Sequence, residues 1–159
     1  MRNTSRTGEI TVAMVMAALV KRGKFLLLPF GDSKRYDLVI EEENGRFLRI
    51  QCKTGRLVKG AVGFYPCSVD SRSEKGRCIR KSYRGEVEYF GVYCPDNGKI
   101  YLVPIEVVTG WKCTLRVDPT RNHQQKNIHW AQDYEIGSEP QMGDNADLAM
   151  PFSFHPFRI

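Results

Sequence analysis

An acid, an amide and an amine frame the stretch YDLVIEEENGRFLRIQCKTG at residues 36–55: Asp37 precedes its first apolar run, and Gln51 and Lys53 close the second. By type, these side chains can take up a proton, offer a neutral oxygen and hold a positive charge, the ingredients of acid–base and electrostatic catalysis. They matter together only if the chain brings them to one face. Leu38 and Ile40 alternate with Asp37, Val39 and Glu41, and Leu48, Ile50 and Cys52 alternate with Arg49, Gln51 and Lys53, the pattern of half-buried strands. Asn44-Gly45 supplies residues that tolerate the positive φ of a tight turn. A two-residue loop there would set Leu38 against Gln51 and mix the two faces. A three-residue loop, Glu43 to Gly45 with Gly45 left-handed, sets Leu38 against Ile50 and Ile40 against Leu48, so the apolar faces match. That register places Asp37 opposite Gln51, with Lys53 farther along the same face. On geometry alone the better reading is a solvated polar face whose ion pair contributes about 0–1 kcal/mol.

The order Asp37…Gln51-Cys52-Lys53 lifts the site above that reading, because it resembles the PD-(D/E)XK nuclease superfamily: an aspartate, a hairpin, then acid-or-amide–x–Lys. Upstream, TGEITVAMVMAALVKRG at residues 7–23 reads as a helix with Glu9 near its start, where such a glutamate often completes the superfamily's site. The resemblance covers residues 8–55 by motif, and the strands to residue 117 by order of elements. Two branches are most similar: the archaeal-type Holliday-junction resolvases, and the intron-associated homing endonucleases, where glutamine at the third position is familiar. The loop PFGDSKRYD at 29–37, with Ser33 before the aspartate, is similar to the corresponding loop in both.

The resemblance implies an α/β fold: a restriction-endonuclease-like core, with a mixed central β-sheet flanked by helices and an N-terminal helix carrying Glu9. It implies Glu9, Asp37, Gln51 and Lys53 as catalytic residues. It also implies Mg²⁺, for which Mn²⁺ can substitute, held by Asp37, the Gln51 amide oxygen, the Cys52 backbone carbonyl and, through water, Glu9. Mg²⁺ prefers hard oxygen ligands and can activate water, polarise phosphorus and stabilise the leaving oxygen. Lys53 would orient the attacking water and help deprotonate it, or neutralise charge on the phosphate. The departure is Gln51 in place of the usual Glu, which removes one negative charge and is expected to weaken metal binding or limit the site to one metal. Plainer roles stand beside these: Glu9 favouring a helix dipole, Lys53 as a surface lysine, Cys52 as a buried strand residue contributing only backbone.

The length of 159 residues suits one domain with a real core, and 26% charged with 42% apolar residues is the composition of an ordinary globular chain. Lys plus Arg number 24 against 18 acids, an excess that permits nucleic-acid binding. RSEKGRCIRKSYR at 72–84 concentrates it in Arg72, Lys75, Arg77, Arg80, Lys81 and Arg84, read as a basic arm that follows phosphates; as an isolated feature it would be a solvated loop. Arg2, Arg6, Ser33, Lys34 and Arg35 complete the expected DNA contacts. The five cysteines show no C-x-x-C spacing, so neither a zinc site nor a disulfide framework is indicated. An odd count without a signal peptide points to a reducing, cytoplasmic setting. The apolar run Ile10 to Val20 is too short for a membrane span, and no membrane partner is expected. Its apolar residues surround most of the helix, which is expected to lie buried against the sheet.

Further along, Phe25 to Phe30 reads as the first strand, residues 61–68 as a short edge strand at Pro66, and Val87 to Cys94 with Ile100 to Pro104 as a second hairpin. Ile105 to Val108 reads as a short helix or turn, Trp111 to Val117 as a strand, and His123 to Tyr134 as a terminal helix. These assignments give a nuclease domain over 1–136 and an extended or flexible tail over 137–159, rich in Gly, Pro and acids and ending in FSFHPFRI.

The leading expectation is a metal-dependent, structure-selective endonuclease that resolves four-way junctions by paired phosphodiester cleavage. It would act as a homodimer presenting one centre to each symmetric strand. The alternatives are a sequence-specific homing endonuclease reading duplex DNA, which Gln51 favours slightly, and a DNA-binding module whose nuclease site has decayed.

Overall fold

In the computed structural model, residues 4–31, 33–70, 79–119 and 128–138 are described below. A helix, α1 (Thr4–Lys21), is followed by β1 (Phe25–Leu27), β2 (Leu38–Glu41), β3 (Phe47–Thr54), β4 (Arg56–Val58), β5 (Ala61–Phe64), β6 (Cys67–Asp70), β7 (Ile79–Ser82), β8 (Tyr89–Cys94), β9 (Lys99–Pro104), β10 (Cys113–Arg116) and β11 (Glu135–Ser138). Short 3₁₀ turns occupy Ile105–Val107 and Ala131–Asp133. A six-stranded sheet runs β1-β2-β3-β8-β9-β11, with β3 and β8 parallel and the other neighbours antiparallel. A three-stranded sheet β10-β5-β4 and a two-stranded ribbon β6-β7 stand apart from it. This is the expected mixed-sheet α/β core.

Strand alternation sorts the apolar residues into two cores. Leu38, Ile40, Leu48, Ile50 and Cys52 face α1, where they meet Val15, Ala18 and Leu19. Phe90, Val92, Tyr101 and Val103 face the other way and pack on Val62, Phe64, Cys113 and Leu115 of the small sheet. That second face is therefore covered by β-structure, and α1 is the only α-helix among the described residues. The helix buries one side and leaves Ile10 and Val20 exposed, so it is less enclosed than its apolar composition suggests.

Gly91 lets α1 approach β8: a Cβ built there would lie 2.7 Å from Val15 Cγ1 and 3.2 Å from Ile50 Cγ2. Gly91→Ala is expected to destabilise the fold by about 1–3 kcal/mol through overpacking, read as a lower urea midpoint at unchanged slope.

The β2–β3 hairpin adopts the three-residue-loop register: Leu38 pairs with Ile50 and Ile40 with Leu48. Gly45 takes φ +79°. Its N–H donates to Glu42 O at 2.8 Å, and Glu42 N–H donates to Arg46 O at 2.8 Å, closing the loop.

Elsewhere the strands are shorter than their apolar runs. β1 stops at Leu27, two residues ahead of Pro29, which has no N–H for a ladder. The 61–68 run is split at Tyr65-Pro66 into β5 and β6, which belong to different sheets. The expected helix over His123 to Tyr134 lies partly outside the described residues, and its described part contains one 3₁₀ turn, Ala131–Asp133, and no α-helix. Trp130 bridges Arg116, and after one 3₁₀ turn the chain enters β11, which pairs with the free edge of β9. Within the expected segment, His129 O accepts from Arg116 N–H at 2.7 Å and Tyr134 O from Leu102 N–H at 2.8 Å, partners that an isolated helical turn lacks.

Candidate active site

Asp37 stands where the β2 ladder runs out. Its N–H still donates to Ile50 O at 2.8 Å. Its side chain then receives what the next ladder position would have paired: Cys52 N–H donates to Oδ2 at 2.7 Å. The Gln51 amide Nε2 donates to the same oxygen at 2.6 Å and approaches Cys52 O at 3.3 Å. The hairpin register thus brings Asp37, Gln51 and the Cys52 backbone together as the sequence pattern requires. Burial pushes the Asp37 carboxyl above its ordinary value, against the opposing pull of the Cys52 N–H, the Lys53 charge and the Gln51 amide.

Glu9 joins this group from the helix. With Asp37, Gln51, Cys52, Thr11 and Thr54 it lines one cleft of about 730 Å³. The helix begins at Thr4 and has no acid in its first turn, so Glu9 sits too far along to serve the helix dipole. Thr11 and Thr54 share a hydrogen bond of 2.7 Å that ties α1 to the end of β3 beside the cleft. Thr11 is the one buried polar residue among those described. Its signal in the sequence is a lone hydroxyl within the apolar run of the helix, two residues after Glu9.

Lys53 takes a separate path. Its Nζ donates to Cys67 O at 3.0 Å and to Tyr83 Oη at 3.4 Å, and lies 4.7 Å from the Tyr83 ring centroid. Cys52 turns its side chain into the α1 core, where burial raises the thiol well above its ordinary value. The residue serves the cleft through its backbone.

The expected DNA contacts divide. Arg6, Ser33 and Lys34 are exposed, as are Arg80 and Lys81 on β7 and Arg84 just beyond it. Arg35 is turned inward: it pairs with Glu86, donates to Ser68 Oγ at 2.9 Å and Ser82 O at 3.0 Å, and lies 4.2 Å from the Tyr83 ring centroid. Those N–H groups are taken up by the protein's own acceptors, so Arg35 braces the segment entering Asp37 against the β6–β7 ribbon. Arg2, Arg72, Lys75 and Arg77 lie outside the described residues.

A family model for PD-(D/E)XK endonucleases matches residues 2–137. The chain belongs to that family. A bacterial homing endonuclease, I-Ssp6803I, has a similar structure: TM-score 0.67 at 21% identity, over 84% of this chain and 89% of that one. No curated protein matches the sequence. The matched span contains Glu9, Asp37, Gln51 and Lys53.

The donors lining the cleft fit a hard divalent cation: one carboxylate, one amide oxygen and one backbone carbonyl, with the Glu9 carboxylate beside them. Among the described residues no three His, Cys, Asp or Glu side chains converge. The Gln51 amide nitrogen now lies between two of the expected ligand atoms, so its oxygen must turn toward the site for a cation to bind. Gln51→Glu replaces that donor with a second carboxylate. It is expected to keep cleavage, bind Mg²⁺ or Mn²⁺ more tightly, and melt lower than wild type in EDTA, where two carboxylates face each other unpaired. Calorimetric titration and melting with and without metal check this; a folded Gln51→Glu protein that cannot cut would give the amide a specific role.

Proposed function

We propose that this PD-(D/E)XK endonuclease cuts duplex DNA sequence-specifically and with a divalent metal, in the manner of homing endonucleases. The β6–β7 ribbon carries this reading. All four β7 residues are exposed, and Val69 pairs with Arg80 and Ser68 with Lys81 across a two-stranded sheet separate from the core. A two-stranded ribbon fits the major groove, where base edges are distinguishable. Its basic residues supply phosphate contacts that set register, and the groove-facing side chains supply specificity. The glutamine at the third motif position agrees with this branch, as does the fold shared with a homing endonuclease.

The metal, when bound, supplies Lewis acidity and an acidified water. Asp37 would hold it, with the amide oxygen of Gln51 and the Cys52 carbonyl as further oxygen donors and the Glu9 carboxylate along the same cleft. Lys53 offers protons and positive charge to the phosphate side. Cutting both strands calls for two centres, so the working form would be a homodimer. Phe25 and Phe47, exposed in one row across Glu41, are apolar surface that a second copy could cover.

The runner-up is resolution of four-way junctions, which needs phosphate tracking more than base readout. Incubation in Mg²⁺ with a randomised duplex library and an immobile four-way junction separates the two. Cut ends converging on one duplex sequence, with the junction intact, are expected. Paired symmetric nicks on the junction with no sequence selected from the library would replace this reading with the resolvase one.

A further inference from the structure

We propose that Tyr83 is a positioning residue for Lys53, fastening the lysine of the nuclease motif to the root of the DNA-binding ribbon. The inference rests on the endonuclease reading of Lys53 and goes beyond it. A lysine ammonium on a flexible four-carbon stem has no fixed place of its own. Here it is held by the carbonyl of Cys67, the first residue of β6, and by the hydroxyl of Tyr83, the residue after β7 ends. Cys67 and Ser82 pair across the ribbon's base, so the Lys53 ammonium is anchored on both of its strands.

The ring is itself a fixed platform. Tyr83 is 5% exposed and meets Phe90 edge-on, with centroids 5.7 Å apart and planes at 87°. Lys53 Nζ and Arg35 Cζ both lie over its ring, at 4.7 and 4.2 Å from the centroid. Cation–π attraction and the hydroxyl acceptor act on Lys53 together. Arg35 lies two residues before Asp37, and its guanidinium grips Ser68, Ser82 and Glu86. Both arms of the motif, the segment entering Asp37 and the Lys53 side chain, are therefore referenced to one ring at the foot of the ribbon. A ribbon seated in DNA would carry the two anchors of the lysine with it.

Two variants separate positioning from packing. Tyr83→Phe keeps the ring, its contact with Phe90 and the cation face, and removes only the hydroxyl. Tyr83→Leu removes the ring as well. The first readout is the Lys53 Cε–Hε signal of the metal-free, DNA-free protein, assigned by its loss in Lys53→Arg. It is expected upfield in wild type from the ring current, changed in Tyr83→Phe as the ammonium loses an acceptor, and at an ordinary position in Tyr83→Leu. The second is nicking in Mn²⁺ of supercoiled plasmid carrying the duplex sequence recovered from the randomised library: Tyr83→Phe should lower kcat about tenfold through misplacement of the lysine, with KM for DNA and melting temperature unchanged. A Lys53 signal unmoved in Tyr83→Phe, with full kcat, overturns the proposal even if Tyr83→Leu fails to fold. A wild type that cuts neither the randomised library, nor the four-way junction, nor any plasmid overturns the endonuclease reading instead, and the Lys53 signal still decides where the side chain is held.

Discussion

Asp37→Asn should abolish cleavage while leaving DNA affinity intact or improved. The carboxylate is the one negatively charged group at the centre of the cleft, where the Cys52 N–H and Gln51 amide converge on a single oxygen. Asparagine keeps the shape and can still accept the Cys52 N–H, so the hairpin should survive. It cannot supply the charge that holds a hard cation. Affinity for DNA should not fall, because the lost charge repels phosphate. A second consequence follows from the burial that raises the Asp37 carboxyl. Folding favours the protonated form, so metal-free wild type loses stability as pH rises through that raised value. The loss is absent below the unfolded-state value, where both states are protonated. In EDTA, Asp37→Asn should therefore melt above wild type at neutral pH, and the gap should close in acid. Undiminished cutting by the variant would remove Asp37 from the site.

Lys53→Met should lower the cleavage rate by about 10²- to 10⁴-fold, the range typical of a lost acid–base or charge-stabilising group. Methionine retains most of the apolar stem and can pack against Tyr83. The Cys67 carbonyl and Tyr83 hydroxyl lose a donor. The stability cost should be modest, about 1 kcal/mol for such a hydrogen bond. DNA binding should change little, because exposed Lys34, Arg80, Lys81 and Arg84 remain. Single-turnover cleavage at saturating DNA isolates the effect; a rate within twofold of wild type would make Lys53 a structural tie of the ribbon and nothing more.

The sequence foretold the centre of the site because strand period and turn chemistry are local. Matching Leu38 to Ile50 and Ile40 to Leu48 left only one register, and that register places Asp37 beside Gln51. What it could not foretell depends on contacts far apart in the chain. Arg35 reads as a basic loop residue until Glu86, Ser68 and Tyr83 are seen around it. Tyr83 reads as one more aromatic in a basic stretch, and only the packing of β8 behind it shows a platform for Lys53. The described end of the expected terminal helix, from Ile128 to Tyr134, differs for the same reason: Arg116 N–H donates to His129 O and Leu102 N–H to Tyr134 O, and nothing local to that segment announces those partners. Gly91 likewise looks like a weak point in a strand, and its purpose is the approach of Val15 from α1.

The most direct test of the central claim needs no knowledge of the DNA target. It is a titration of the protein with Mn²⁺, followed by paramagnetic broadening of assigned backbone amides, in wild type and Asp37→Asn. Wild type should lose the amide signals of Asp37, Gln51, Cys52 and the Glu9 turn first, and Asp37→Asn should keep them at the same Mn²⁺ concentration. Broadening centred elsewhere, or unchanged by the substitution, would contradict a divalent-metal centre built on Asp37.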